Sequence, residues 1–167
     1  HSESPEAQFV MTAGLTVLAP SNPHDAYWMI QEEIKSDDPV MFFEPKRRYW
    51  QRGDVDTSRR DLPMHDARVV SEGTDVTLVA YGPLIPTAQD VVAAAAEEGK
   101  SVELIDLRSL NPIDFTTIEK SVAKTGRLVV THEAPTFLGL GSEIAARISE
   151  RCFFSLEAPV IRVGGYH

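Results

Sequence analysis

Residues 74–107 read TDVTLVAYGPLIPTAQDVVAAAAEEGKSVELIDL. Val76 to Tyr81 is a short apolar run rich in β-branched residues, which predicts a buried strand. Pro86 to Glu98 carries a first-turn proline and an alanine-rich interior, and Gly99 follows it, so it predicts a helix. Val102 to Leu107 is a second strand. Strand, helix and strand in this order predict a right-handed βαβ unit and a parallel pair.

The pattern continues toward the C-terminus. Asp114 caps a helix that carries Ile118 and Val122 and ends at Gly126. Leu128 to Thr131 reads as a strand. Gly141 or Ser142 opens a helix carrying Ile144, Ile148 and Cys152, and Val160 to Val163 is a last strand. Residues 67–167 are therefore expected to form an α/β unit with a mostly parallel sheet of about four strands flanked by helices.

Toward the N-terminus the character changes. Residues 45–66 are charged and poor in aliphatic side chains and contain Pro45 and Pro63, so they read as a linker. Residues 1–44 read helix, strand, helix, strand. Ser4-Pro5 opens a short helix toward Thr12, Gly14 stops it, and Leu15 to Ala19 is a strand. Asn22-Pro23 with Asp25 starts the second helix, whose Ala26, Ile30 and Ile34 are expected to share a buried face. Val40 to Phe43 is the second strand. One crossover and a strand are too little for a domain. The chain is expected to have lost its beginning, with residues 1–44 as its least protected part.

The 167 residues carry a formal net charge of −9, and 43% are hydrophobic, enough for a core. The acidic balance argues against a nucleic-acid binder and suits a basic protein partner. No apolar run reaches membrane-spanning length. A lone Cys152 excludes an intramolecular disulfide and a cysteine-based zinc site.

Signatures for phosphate loops, dinucleotide folds, hydrolase elbows and zinc proteases are absent. His132-Glu133 follows a strand where ligands sit in parallel α/β sheets, but loop bonding or an interface is the plainer expectation. Gly139-Leu140-Gly141 could cradle an anion, although a tight entry into a helix explains it more simply. Lys46-Arg47-Arg48 with Tyr49 and Trp50 could meet phosphate or carboxylate, or form a solvated or contact face. His24 and His65 are expected at the surface. His1, in a polar segment before a helix, is a possible acid or base.

Taken in order, HSESPEA, GLTVLAPSNPHDAYWMIQEEI, DDPVMFFEPKRRYW, EGTDVTLVAYG, VELIDLRSLNPID, KTGRLVVTHEAP and GSEIAARISERCFFSLEAPVIRVGGY resemble the β subunit of the decarboxylase component of 2-oxoacid dehydrogenase complexes. HEAP and the LEAPVIRVGGY ending look more like the branched-chain member than the pyruvate member. The resemblance implies that residues 1–44 are the tail of a pyrimidine-binding domain of thiamine enzymes. It also implies that residues 67–167 are a transketolase C-terminal-like domain, incomplete at its end. Thiamine diphosphate and magnesium belong to the complete α/β enzyme, and none is expected in this piece alone. The implied catalytic residue is His1, for proton transfer around the bound intermediate and the lipoyl thiol. Glu3 stands where the family commonly has glutamine. A structural potassium ion is implied at the backbone carbonyls of Glu33, Ser36 and Asp38. The implied partners are the α subunit, a second β subunit and the dihydrolipoyl acyltransferase core. The implied compartment is the cytoplasm, or the mitochondrial matrix in a eukaryote.

Overall fold

The strand–helix–strand unit of residues 74–107 forms the centre of the computed structural model, which describes residues 4–166. The elements before it are α1 (Glu6–Val10), β1 (Thr16–Leu18), α2 (Pro23–Ile34), β2 (Val40–Phe42) and β3 (Arg68–Ser71). The unit itself is β4 (Val76–Ala80), α3 (Ile85–Glu97) and β5 (Val102–Asp106). After it come β6 (Ser109–Asn111), α4 (Phe115–Thr125), β7 (Leu128–Pro135), α5 (Leu140–Arg151) and β8 (Ile161–Gly165).

The main sheet runs β3-β5-β4-β7-β8. Strands β5, β4, β7 and β8 are parallel, as expected, while β3 adds an unforeseen antiparallel edge to β5. Alternation along β4 divides the core between the two faces of the sheet. Val79 and Tyr81 join Ile118 and Val122 of α4 and Ile144 and Ile148 of α5. Leu78 and Ala80 join Ile85 and Ala88 of α3. The α4 cap is as expected: Asp114 Oδ1 accepts the Thr117 N–H at 3.1 Å, and Gly126 closes the helix at φ +69.

The N-terminal elements are not a loose tail. Strand β1 pairs in parallel with β2 and antiparallel with β6, giving a second sheet of order β2-β1-β6. Val17 and Ala19 are buried in the same core as α4 and α5. The segment between β2 and β3 has a single helical turn, Lys46–Arg48, and is tied down along its length. Arg47 and Arg48 donate to the Pro83 carbonyl at 2.9 and 2.6 Å, and the Trp28 indole N–H donates to the Asp56 carbonyl at 2.9 Å.

Helix α2 departs from its expected face. The Asn22 cap is present, with Oδ1 accepting the Asp25 N–H at 2.9 Å. The buried stripe, however, is Asp25, Met29 and Glu33, and Ile34 is 76% exposed. Arg68 and Arg108 reach the Asp25 side of the helix, and their charges make its burial possible. His24 and His65 are half-buried rather than at the surface. His24 Nε2 lies 3.4 Å from Asp61, and His65 Nδ1 lies 3.4 Å from Ser109 Oγ.

Candidate functional site

The chain leaves β4 for β5 on one side and later returns to β7 on the other. The carboxyl ends of β4 and β7 are therefore the switch point of the sheet, where α/β folds usually bind ligands. Tyr81 and His132 occupy it, their rings stacked with centroids 6.1 Å apart and 29° between planes. His132 is buried with both nitrogens engaged. Nδ1 donates to the Ala134 carbonyl at 2.9 Å, and Nε2 accepts the Gly141 N–H at 3.1 Å. This network assigns the neutral Nδ1–H tautomer, and burial holds the imidazole pKa below its ordinary value. No ring nitrogen is free to move a proton, so His132 organises the loop.

The glycines after β7 serve the same ring. A Cβ at Gly141 would lie 2.8 Å from His132 Nε2, and one at Gly139 2.7 Å from Cε1. Gly139 and Gly141 therefore make room for an imidazole rather than a phosphate. Glu133 pairs with Arg47 at 2.9 Å, so the basic turn at 46–48 binds the protein's own Glu133 carboxylate and Pro83 carbonyl. Beside them, Glu6 Oε2 and the Tyr81 hydroxyl are buried without a hydrogen-bond partner among the described residues. Burial and the nearby Glu133 raise the Glu6 carboxyl above its usual range.

His1, the residue expected to be catalytic, lies outside the described residues. Ser4 and Pro5 line an open cleft of about 1330 Å³ with Asn111, Leu138 and Arg147 among its walls. Arg147 sits over the Phe115 ring, its guanidinium carbon 4.0 Å from the centroid. Glu33, Ser36 and Asp38 form the turn that ends α2, where helix carbonyls lack intrahelical partners. The donors fit a hard cation in kind, but the Glu33 carbonyl already accepts the Ser36 N–H at 3.0 Å. The buried Glu33 carboxyl is raised by desolvation and by Asp38 and Glu32.

A diphosphate with magnesium needs free cations or a carboxylate cluster. Among the described residues, no group of three or more His, Cys, Asp or Glu could hold a metal ion. Arg47 and Arg48 are engaged elsewhere. Neither the basic turn nor a carboxylate cluster among the described residues therefore offers a diphosphate–magnesium site.

A buried ionic cluster between α2, β3 and the end of β5 was not foreseen. Asp25 Oδ1 meets Arg68 at 2.8 Å and Arg108 at 3.0 Å. Arg108, in the left-handed region at φ 58, also donates to the Pro63 and Asp66 carbonyls at 3.0 and 2.6 Å. Asp106 accepts the Ser21 hydroxyl and the Arg108 backbone N–H. The available signal was Asp106 closing a strand whose other residues, apart from Glu103, are apolar.

The family model for the transketolase C-terminal domain matches residues 65–167. The pyruvate dehydrogenase E1 component subunit beta of Leifsonia xyli subsp. xyli is 58% identical over 99% of this chain and 49% of its own length. The 3-methyl-2-oxobutanoate dehydrogenase subunit beta of Mycobacterium tuberculosis is 53% identical over 99% of this chain and 48% of its own. The chain thus spans about half the length of the curated relatives it matches. A solved structure titled split gene transketolase, inactive beta4 tetramer, superposes with a TM-score of 0.80 at 24% identity. It covers 97% of this chain and 52% of that one, and supports the fold. Over residues 65–167 the chain belongs to the transketolase C-terminal domain family, and along nearly its whole length it is homologous to the β subunits of pyruvate and branched-chain 2-oxoacid dehydrogenases.

Proposed function

We propose that the chain is part of the β subunit of a thiamine diphosphate-dependent 2-oxoacid dehydrogenase acting on branched-chain 2-oxo acids. The 2-oxoacid dehydrogenase part of this reading is carried by identities of 58% and 53% to a pyruvate and a 3-methyl-2-oxobutanoate dehydrogenase β subunit, each over 99% of the chain. The HEAP string at 132–135 and the LEAPVIRVGGY ending support the branched-chain choice. A second reading, a pyruvate dehydrogenase subunit, is favoured by the 58% identity to the Leifsonia protein.

In this proposal residues 1–44 belong to a pyrimidine-binding domain, 45–66 connect, and 67–167 form the association domain. The complete enzyme obtains its carbanion chemistry from thiamine diphosphate bound with magnesium. This chain contributes His1, which moves a proton near the reacting centre. It also contributes the carbonyls of Glu33, Ser36 and Asp38, which hold a potassium ion that stiffens the turn after α2. The partners are the α subunit, a second β subunit and the basic binding region of the dihydrolipoyl acyltransferase core, toward which the −9 charge steers association.

The test is turnover by the full-length β subunit mixed with its α partner, thiamine diphosphate, magnesium and an artificial electron acceptor. Faster turnover of 3-methyl-2-oxobutanoate than of pyruvate is expected, with His1→Ala reducing kcat in that assembly. Preference for pyruvate overturns the branched-chain assignment and leaves the second reading. The 167-residue chain alone is expected to be inactive, and measurable turnover by it overturns the purely contributory role of residues 1–167.

A further inference from the structure

We propose that the cavity beside the start of α2 is a binding site for a small zwitterion, an α-amino acid with an apolar side chain. The cavity has a volume of about 540 Å³, within the range of small-molecule sites. It lies between the loop that enters α2 and the segment that leaves β2. Pro20, Pro23, Pro45 and Phe42 give it apolar walls, and Tyr49 and Trp50 line it as well. Trp50 is 91% exposed, and its indole has no ring or hydrogen-bond partner among the described residues. It offers a free aromatic face to a ligand.

Two charged walls select the ligand. Arg48 donates to the Pro83 carbonyl from Nε and Nη2, at 3.1 and 2.6 Å. Its Nη1 has no partner among the described residues. The guanidinium is thus anchored with one terminal nitrogen unused, which suits a single carboxylate. Glu44 accepts the Tyr49 hydroxyl at 3.2 Å and forms no ion pair among the described residues. Opposite charges therefore line one cavity without neutralising each other.

A simple anion would meet Arg48 but be repelled by Glu44 and by the net charge of −9. A simple cation would meet Glu44 but bring a like charge to Arg48. A zwitterion satisfies both: its carboxylate accepts from Arg48 Nη1, and its ammonium donates to Glu44. The polar groups at the α2 side are already engaged. Ser21 donates to Asp106, and the Asn22 amide caps α2 and bonds the Asp25 carboxylate. The prolines and Phe42 then leave an apolar space for the side chain, and the aromatic walls favour a ring. This inference does not depend on the proposed enzyme activity.

The test is titration of the isotope-labelled 167-residue chain with L-phenylalanine, read by NMR at the indole N–H signals of its two tryptophans. Trp28 donates to the Asp56 carbonyl and does not line the cavity, so it is the internal control. Trp50→Phe identifies the Trp50 signal. A saturable shift of that signal with Trp28 unmoved is expected. Phenylpropanoate lacks the ammonium and phenethylamine lacks the carboxylate. Each is expected to bind at least about tenfold more weakly, having lost a charge-assisted hydrogen bond. Glu44→Gln should remove the preference for L-phenylalanine over phenylpropanoate, and Arg48→Gln the preference over phenethylamine. If Arg48→Gln does not fold for want of its Pro83 anchor, Glu44→Gln, altered at an exposed position, decides with the two analogues. No saturable shift up to tens of millimolar overturns the site. Equal affinity for L-phenylalanine and either analogue overturns the zwitterion, and so does a preference over phenylpropanoate that survives Glu44→Gln.

Discussion

His132 sits where a ligand would be expected and has no nitrogen left for one. Its neutral form accepts from Gly141 and donates to Ala134, and Gly139, Gly141 and Gly164 close around the ring. Protonation would turn Nε2 from acceptor to donor, facing the Gly141 N–H. The folded pKa lies below the unfolded value, so the unfolded state binds the proton first as pH falls. The contribution of His132 is complete above about pH 6.5 and is lost on acidification. Thermal unfolding of the chain from pH 7.5 to 5.5 should show this loss, and His132→Gln should reduce the slope while lowering stability by about 1–3 kcal/mol at pH 7.5. An unchanged slope would mean that other groups carry the acid sensitivity. The position of His132 at a strand end was legible in the sequence, but its bonds were not. They depend on glycines seven and nine residues further on, which turn back over the ring.

Elements with local causes were legible; elements made by distant contacts were not. Helix α4 has its cap, apolar stripe and αL glycine within fourteen residues, 114–127, and it forms where expected. Asp114 also accepts the Ala67 N–H at 3.2 Å, tying α4 to the segment leading into β3. Asp114→Ala should therefore cost about 1–2 kcal/mol in urea unfolding, and Asp114→Asn distinctly less. Equal losses for the two variants would show that charge, not capping, is what matters. Strands β3 and β6 have no comparable local signature. The Ser109–Asn111 strand exists because Val17 and Leu18 pair with it, and Asn111 Nδ2 donates to the Leu15 carbonyl at 2.7 Å, across more than ninety residues. Helix α2 fails the periodicity reading for a related reason. Asp25 can be buried because Arg68 and Arg108 reach it from elsewhere in the chain, and no inspection of residues 23–34 reveals them. The Glu133–Arg47 pair is equally non-local.

At the scale of the molecule, the apolar surface and the charge pull in different directions. Among the described residues strand β8 is an unpaired sheet edge, with Ile161 and Val163 half-exposed. Phe154, 99% exposed, stands with Phe153 at the end of α5, and Ile34 lies open on α2. Unpaired edges and grouped apolar side chains favour association. The net charge of −9 opposes the approach of two copies of the same chain and attracts a basic partner. Salt separates the two. Raising ionic strength shortens the screening length from about 8 Å at 0.15 M to about 3 Å at 1 M. Self-association through apolar faces should therefore strengthen with salt, while docking to a basic partner should weaken. Sedimentation velocity of the 167-residue chain over a hundredfold range of concentration, in low and high salt, is expected to show association that grows with both. Val163→Lys, which places a charge on the sheet edge, should reduce it several-fold without lowering the unfolding midpoint. A monomer at every concentration and in both salts would remove self-association from the proposed role, leaving the charged surface and a heterologous partner to account for the exposed β8 edge.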